Sequence, residues 1–132
     1  MRAALAPRRL ALVVDDSMLI RHTVCRFLEE RGFGVESATN PVEALELLKT
    51  VQPTVIITDM QMPKMSGSEF ITELKGKPET AAIPIVVLTG RQSGQEFNEK
   101  RADYAIFKDI DIEAQLQTAL SAALSDPTAG KR

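Results

Sequence analysis

The chain is expected to fold as a doubly wound α/β sheet of parallel strands, and three observations carry that expectation. Five short apolar runs alternate with helix-period patterns along the sequence. Three of the runs, "LALVV" (10–14), "TVIIT" (54–58) and "IPIVVL" (83–88), are almost wholly apolar, as strands are when helices cover both faces of a parallel sheet. The intervening segments open on residues that cap helices, which marks them as crossover connections.

The first strand, 10–14, runs into two adjacent acids, Asp15 and Asp16. A helix from Ser17 to Arg31 follows, with Ile20, Val24, Phe27 and Leu28 as its apolar stripe and Gly32 as the stop. "GVESA" (34–38) is the second strand. "NPVEALELL" then starts a helix with Asn40 as N-cap, Pro41 at the first position and Glu43 at the third. The third strand, 54–58, leads to Asp59. "SGSEFITEL" places Ser66 and Glu69 at capping-box spacing. The fourth strand, 83–88, leads to Thr89 and Gly90. A fourth helix is expected over Ser93 to Ala102, with Phe97 nearly its only apolar anchor. "YAIFK" (104–108) is the fifth strand. Asp111 caps a last helix that carries Ile112, Leu116, Leu120 and Leu124 on one face. Five strands joined by right-handed crossovers favour the order 2-1-3-4-5, the flavodoxin-like (βα)5 arrangement. The domain is predicted over residues 9–125, with tails at 1–8 and 126–132. "SDPTAGKR" after Leu124 is too short for an output domain, so the expectation is either a stand-alone domain acting through protein contacts or a piece of a longer protein.

Bulk properties narrow the function. The fractions of 44% hydrophobic and 26% charged residues suit an ordinary soluble domain. A net charge of -2 argues against a general nucleic-acid or membrane binder. The basic residues near the ends (Arg2, Arg8, Arg9, Lys131, Arg132) read as solvated tails. The single cysteine, Cys25, has no partner for an internal disulfide and sits in a helical pattern, so packing in a reducing compartment is expected. "MRAALAPRRL" lacks the apolar core of a secretory signal, and no apolar run is long enough to span a bilayer. A cytoplasmic location follows as an expectation. His22, the sole histidine, falls opposite the apolar stripe of its helix and reads as exposed, not as a phosphoryl relay.

The polar residues at the strand ends point to chemistry. In a doubly wound sheet the binding crevice lies beyond the carboxyl ends of the strands, at the switch between strands 1 and 3. Asp15, Asp16, Asp59, Thr89 and Lys108 all fall there. Each alone has an ordinary explanation as a cap, a turn, a strand residue or a solvated lysine. Together they do not, because two carboxylates at ~4 Å repel by about 4 kcal/mol at an effective dielectric of 20. Such a cluster should bind a hard divalent cation or take up a proton. All-oxygen donors with room for water favour Mg²⁺. A metal beside a carboxylate, with a lysine and a hydroxyl in reach, suits phosphoryl chemistry with an aspartate as nucleophile.

The blocks "VVDDSMLIR", "IITDMQMPKMSG", "VVLTG" and "FK" resemble the receiver domain of bacterial two-component response regulators. The likeness covers about residues 9 to 125. The second block matches the family's D-x-x-M-P-x-M-x-G pattern at Asp59, Met62, Pro63, Met65 and Gly67. The resemblance implies that Asp59 is the phosphoacceptor, and that Asp16, Asp59 and the backbone carbonyl of Gln61 bind Mg²⁺ directly, with Asp15 acting largely through water. It implies that Thr89 and Lys108 hold the phosphoryl group, donated by a sensor histidine kinase or a histidine phosphotransfer protein. It also implies self-catalysed acceptance and slow loss of that group rather than enzymatic turnover, and an unknown target protein. A longer parent protein would be a regulator or a hybrid kinase.

The sequence departs from the family where the signal leaves. The aromatic residue usual three places before the lysine is Ala105 here, and Tyr104 should point to the opposite face. The lysine is followed by Asp109 where the family has proline, and the Thr89–Lys108 interval is short. Gln61 and Arg91 occupy positions that tune acyl-phosphate lifetime in the family. Exchanging each for Ala should alter decay of the phosphoryl group; unchanged decay in both variants refutes that role. Two other readings compete. An aspartyl-phosphate phosphatase typically needs an acid two residues after its nucleophile, and Gln61 cannot serve. An unphosphorylated receiver-like binding module draws support only from Ala105 and Asp109.

Overall fold

The computed structural model describes residues 9–62, 64–89, 102–108 and 111–124. Its elements are β1 (Leu10–Val14), α1 (Met18–Glu30), β2 (Gly34–Ala38), α2 (Pro41–Leu47), β3 (Val55–Asp59), α3 (Gly67–Lys75), α4 (Pro78–Ala81), β4 (Ile85–Thr89), β5 (Tyr104–Phe107) and α5 (Ile112–Ala123). The strands form one five-stranded parallel sheet in the order β2-β1-β3-β4-β5. This is the predicted 2-1-3-4-5 order.

Alternation along the strands builds two cores, one on each face. Ala11, Val13, Val55, Ile57, Val86, Leu88 and Ile106 pack against Val24, Phe27 and Leu28 of α1 and Leu116, Ala119 and Leu120 of α5. Leu12, Val14, Ile56, Ile85 and Val87 pack against Ala44 of α2 and Phe70, Ile71 and Leu74 of α3. Both faces are covered, which is why these strands read as unbroken apolar runs. Among the described residues β2 sits at an edge, paired with β1 alone, and is less buried than the central strands.

The helix starts follow from their capping residues. Ser17, Asn40 and Ser66 accept hydrogen bonds from the amides of Ile20, Glu43 and Glu69, and Glu69 completes a reciprocal capping box. Asp111 accepts from Ala114 N–H to start α5. Gly32 lies just past α1 with φ +90, a conformation that carries no penalty for glycine.

Three strands differ in their bounds from the expected ones. β3 covers Val55–Asp59 rather than 54–58, so Asp59 is itself a strand residue. β4 starts at Ile85 rather than 83, after Pro84, which lacks an amide to donate. β5 ends at Phe107, one place before Lys108. The short helix α4 was not foreseen; Pro78 sits in its first turn and the Thr80 hydroxyl, buried, donates to Leu74 O at 2.6 Å. Of the predicted fourth helix only Ala102 is described, in a bend beside the second core, and residues 93–101 fall outside the described residues. The predicted tails 1–8 and 126–132 also lie outside them. Cys25 is half-buried against the first core, and burial, reinforced by Glu29, holds its thiol above the ordinary value of 9.0. That environment suits packing rather than reactivity. His22 is exposed.

Candidate metal centre

The doubled acid sits where β1 gives way to α1, and the local hydrogen bonds set its geometry. Asp15 N–H donates to Ala38 O at 3.1 Å, which extends the β1–β2 pairing by one residue. Asp15 Oδ1 accepts from Ser17 N–H at 2.8 Å and turns the chain into α1. Arg21 Nη1 donates to Asp15 O at 2.9 Å. Ser17, not either aspartate, caps the helix. Both carboxylates are therefore left for the crevice, Asp15 fully buried and Asp16 exposed.

Asp59 ends β3 at 5% exposure. Its Oδ1 accepts from Met60 N–H at 2.8 Å and from Gln61 N–H at 3.3 Å. Carboxylate oxygens of Asp15, Asp16 and Asp59 all lie within 4.8 Å of one another. Lys108 completes the group. Its N–H donates to Thr89 O at 2.9 Å, and its Nζ lies 3.0 Å from Asp59 Oδ2 and 3.2 Å from Asp15 Oδ2. Thr89 ends β4, half-buried and in register with Phe107. The structure thus gathers the acids and Lys108 and sets Thr89 at the neighbouring strand end, as the sequence predicts.

Among the described residues, three carboxylates face one ammonium. Burial pushes the Asp15 carboxyl above its ordinary 3.8; the Ser17 amide opposes this, the Asp59 charge adds to it, and Lys108 relieves part of it. For Lys108, burial works against the charge, but the bond to Asp59 and the attraction of both acids outweigh it and hold the ammonium above 10.5. Asp15 Oδ2 is buried without a hydrogen bond. Lys108 Nζ, at 3.2 Å, is within ion-pair range of that oxygen. An orphaned, buried, anionic oxygen in an all-oxygen cluster fits a hard divalent cation, which supplies the missing charge and ligation at once.

The loop after Asp59 is held by packing. Met60, Met62 and Met65 lie against the second core, and Lys64 adopts φ 75. Gly67 opens α3 so close to the strand end that a Cβ would stand 2.6 Å from Met60 Cα and 2.7 Å from Asp59 O. Both contacts are backbone, so no rotamer change relieves them. Gly67→Ala is expected to destabilise the domain by about 1–3 kcal/mol, the usual range for overpacking, and to displace Asp59. Denaturant unfolding checks the first part, and a midpoint equal to that of the unaltered protein sinks it.

Tyr104 packs on the first core and Ala105 on the second, so they face opposite sides as expected. Gln61 is exposed. Arg91, Asp109 and Pro63 lie outside the described residues. Two contacts were not anticipated from sequence: Arg21 on the Asp15 carbonyl, and Gln115 of α5 on the backbone of Phe107. The signal for the second was an amide on the sheet-facing stripe of α5, beside Leu116.

Comparison with known proteins agrees with this geometry. The family described as "Response regulator receiver domain" matches residues 11–121. The response regulator MprA of Mycobacterium tuberculosis is 38% identical over 85 residues, 64% of this chain. The alignment spans about a third, 36%, of that relative's length. Chemotaxis response regulator CheY4 of Vibrio cholerae superposes with a TM-score of 0.76 at 31% identity, over 88% of this chain and 99% of that one. The receiver domain of a signal transduction histidine kinase from Syntrophus aciditrophicus gives 0.76 at 29% identity, over 89% and 90%. The chain belongs to the response regulator receiver domain family.

Proposed function

We propose that this receiver domain is a phosphoacceptor switch in which Asp59 takes a phosphoryl group and the altered domain signals through protein contacts. The observation that carries the reading is Asp59 itself, 5% exposed, with Lys108 Nζ 3.0 Å from its Oδ2 and two further acids beside it. Asp15, Asp16 and Asp59, with the Gln61 carbonyl, would hold Mg²⁺. That ion supplies neutralisation of phosphoryl oxygens and an anchor for their orientation. A carboxylate oxygen of Asp59 attacks the phosphorus, the bond from phosphorus to the donor's imidazole nitrogen breaks, and that electron pair leaves with the imidazole. Lys108 exchanges its carboxylate partner for a phosphoryl oxygen, and the Thr89 hydroxyl donates to another. Gln61 and Arg91 tune how long the acyl phosphate lasts.

The donor is a phosphohistidine on a sensor kinase or phosphotransfer protein, and the reaction is stoichiometric rather than enzymatic turnover. The receiving protein reads a shift in population between two arrangements of the domain. Ala105 supplies no aromatic ring to couple with Thr89, so the output face works through other contacts. Among the described residues no helix is long and apolar enough to cross a membrane, which accords with action in the cytoplasm.

Incubation with Mg²⁺ and phosphoramidate tests the reading by intact mass. A single phosphoryl gain that needs Mg²⁺ and is removed by hydroxylamine supports an acyl phosphate. Rapid release of many equivalents of phosphate would indicate a phosphatase, and an unchanged mass would indicate an unphosphorylated binding module.

A further inference from the structure

Lys108 must hold its ammonium between two buried carboxylates, yet it stands at the end of an edge strand. β5 pairs only with β4 among the described residues, and the position after the lysine is Asp109 rather than the proline usual in the family. In a parallel ladder successive residues direct their N–H and C=O groups to opposite neighbours. Lys108 N–H goes inward to Thr89 O, so the N–H and C=O of Phe107 point outward, where no sixth strand is described. Gln115, projecting from the first turn of α5, meets both. Its Oε1 accepts from Phe107 N–H at 3.0 Å, and its Nε2 donates to Phe107 O at 2.8 Å and to Asp111 O at 3.2 Å. One side-chain amide thus takes the place of a neighbouring strand at the residue before the lysine, and ties it to the N-cap of α5.

We infer that Gln115 is a positioning residue: its paired hydrogen bonds to Phe107 fix the end of β5 and so aim Lys108 at Asp59 and Asp15. The inference rests on the reading of Lys108 as a ligand of the transferred phosphoryl group. Asp111 links the clamp to the helix cap, because its carboxylate accepts from Ala114 N–H at 3.1 Å while its carbonyl accepts from Gln115. A movement of α5 therefore carries the lysine-bearing strand end with it.

The test is a double-mutant cycle on the full chain. Gln115→Met keeps length and helix propensity but removes the donor and the acceptor; Gln115→Glu keeps the acceptor and sets an oxygen against two carbonyls. Phosphorylation by phosphoramidate at saturating Mg²⁺ is expected to slow about tenfold in Gln115→Met, within the loss of up to ~10²-fold that misplaced groups produce. Hydrogen exchange at the Phe107 amide should accelerate. In a Lys108→Met background the same change should have no further effect on the rate, which a merely structural role would not predict. An unaltered rate in Gln115→Met, or equal slowing with and without Lys108, overturns the clamp while leaving the phosphoacceptor reading intact. Should Gln115→Met fail to fold, Gln115→Glu carries the same comparison. A Lys108→Met protein that reacts at the unaltered rate overturns the clamp and the role of Lys108 as a phosphoryl ligand, with the phosphoacceptor reading still standing.

Discussion

Asp59→Asn is expected to abolish acceptance of a phosphoryl group from phosphoramidate while leaving the domain folded. The carboxamide oxygen is a poor nucleophile, and the amide has no anionic oxygen to form an acyl phosphate. The fold should persist because the local contacts survive the exchange. An asparagine Oδ1 can still accept from Met60 and Gln61 N–H, the two bonds that fix this side chain now. Lys108 loses its partner at 3.0 Å but keeps Asp15 Oδ2 at 3.2 Å. Removing one of three crowded carboxylates also relieves repulsion in a buried site. The measurement is intact mass after Mg²⁺ and phosphoramidate, with circular dichroism as the folding control. A hydroxylamine-labile phosphoryl gain in the folded variant would show that a different residue is the acceptor. The other acids do not offer the same geometry: Asp16 is exposed, and Asp15 is buried with one oxygen committed to Ser17 N–H.

Much of this site can be seen in the linear sequence because a parallel sheet converts order into place. Asp15, Asp59, Thr89 and Lys108 each end or follow an apolar run, and parallel strands put all such ends on one edge. The starts of three helices were equally visible, since Asn40, Ser66 and Asp111 act through bonds spanning only three residues. What stayed hidden depends on side chains that reach across elements. Arg21 folds back over its own helix to the Asp15 carbonyl, and Gln115 leaves α5 for the β5 backbone. Arg21 has no periodicity or spacing rule behind it, and Gln115 is marked only by its place beside Leu116 on the stripe of α5. The shifts of one or two residues in β3 and β4 have another origin, since hydropathy marks burial whereas the ladder is set by which amides pair. The close approach at Gly67 was visible only as a motif glycine; its reason is the Asp59–Met60 backbone lying where a Cβ would go.

Asp15→Asn should change stability in opposite directions with and without Mg²⁺. In the metal-free domain the Asp15 carboxyl is fully buried, and its pKa is raised above 3.8, first by burial and then by the Asp59 charge against the opposing Ser17 amide and Lys108. A carboxyl whose folded pKa exceeds its unfolded value stabilises the fold fully below the unfolded pKa, and that contribution is lost as pH rises through the folded pKa. At neutral pH the charged form is therefore a burden, made worse by the orphaned Oδ2. An asparagine removes the charge, keeps an oxygen for Ser17 N–H and leaves Asp59 to pair with Lys108. Metal-free, the variant should melt higher; each 1 kcal/mol corresponds to roughly 4 °C for a domain of this size. It should also lack the stability decline expected of the parent as pH climbs above 3.8. With Mg²⁺ the order reverses. The parent gains RT ln(1 + [Mg²⁺]/Kd), and a variant that binds the ion about a hundredfold more weakly forgoes up to ~2.7 kcal/mol of that gain. Melting curves of the two proteins across a Mg²⁺ titration should cross. Parallel curves mean that Asp15 has no part in holding the ion, and a lower metal-free midpoint in the variant means that its charge is not a strain on the fold.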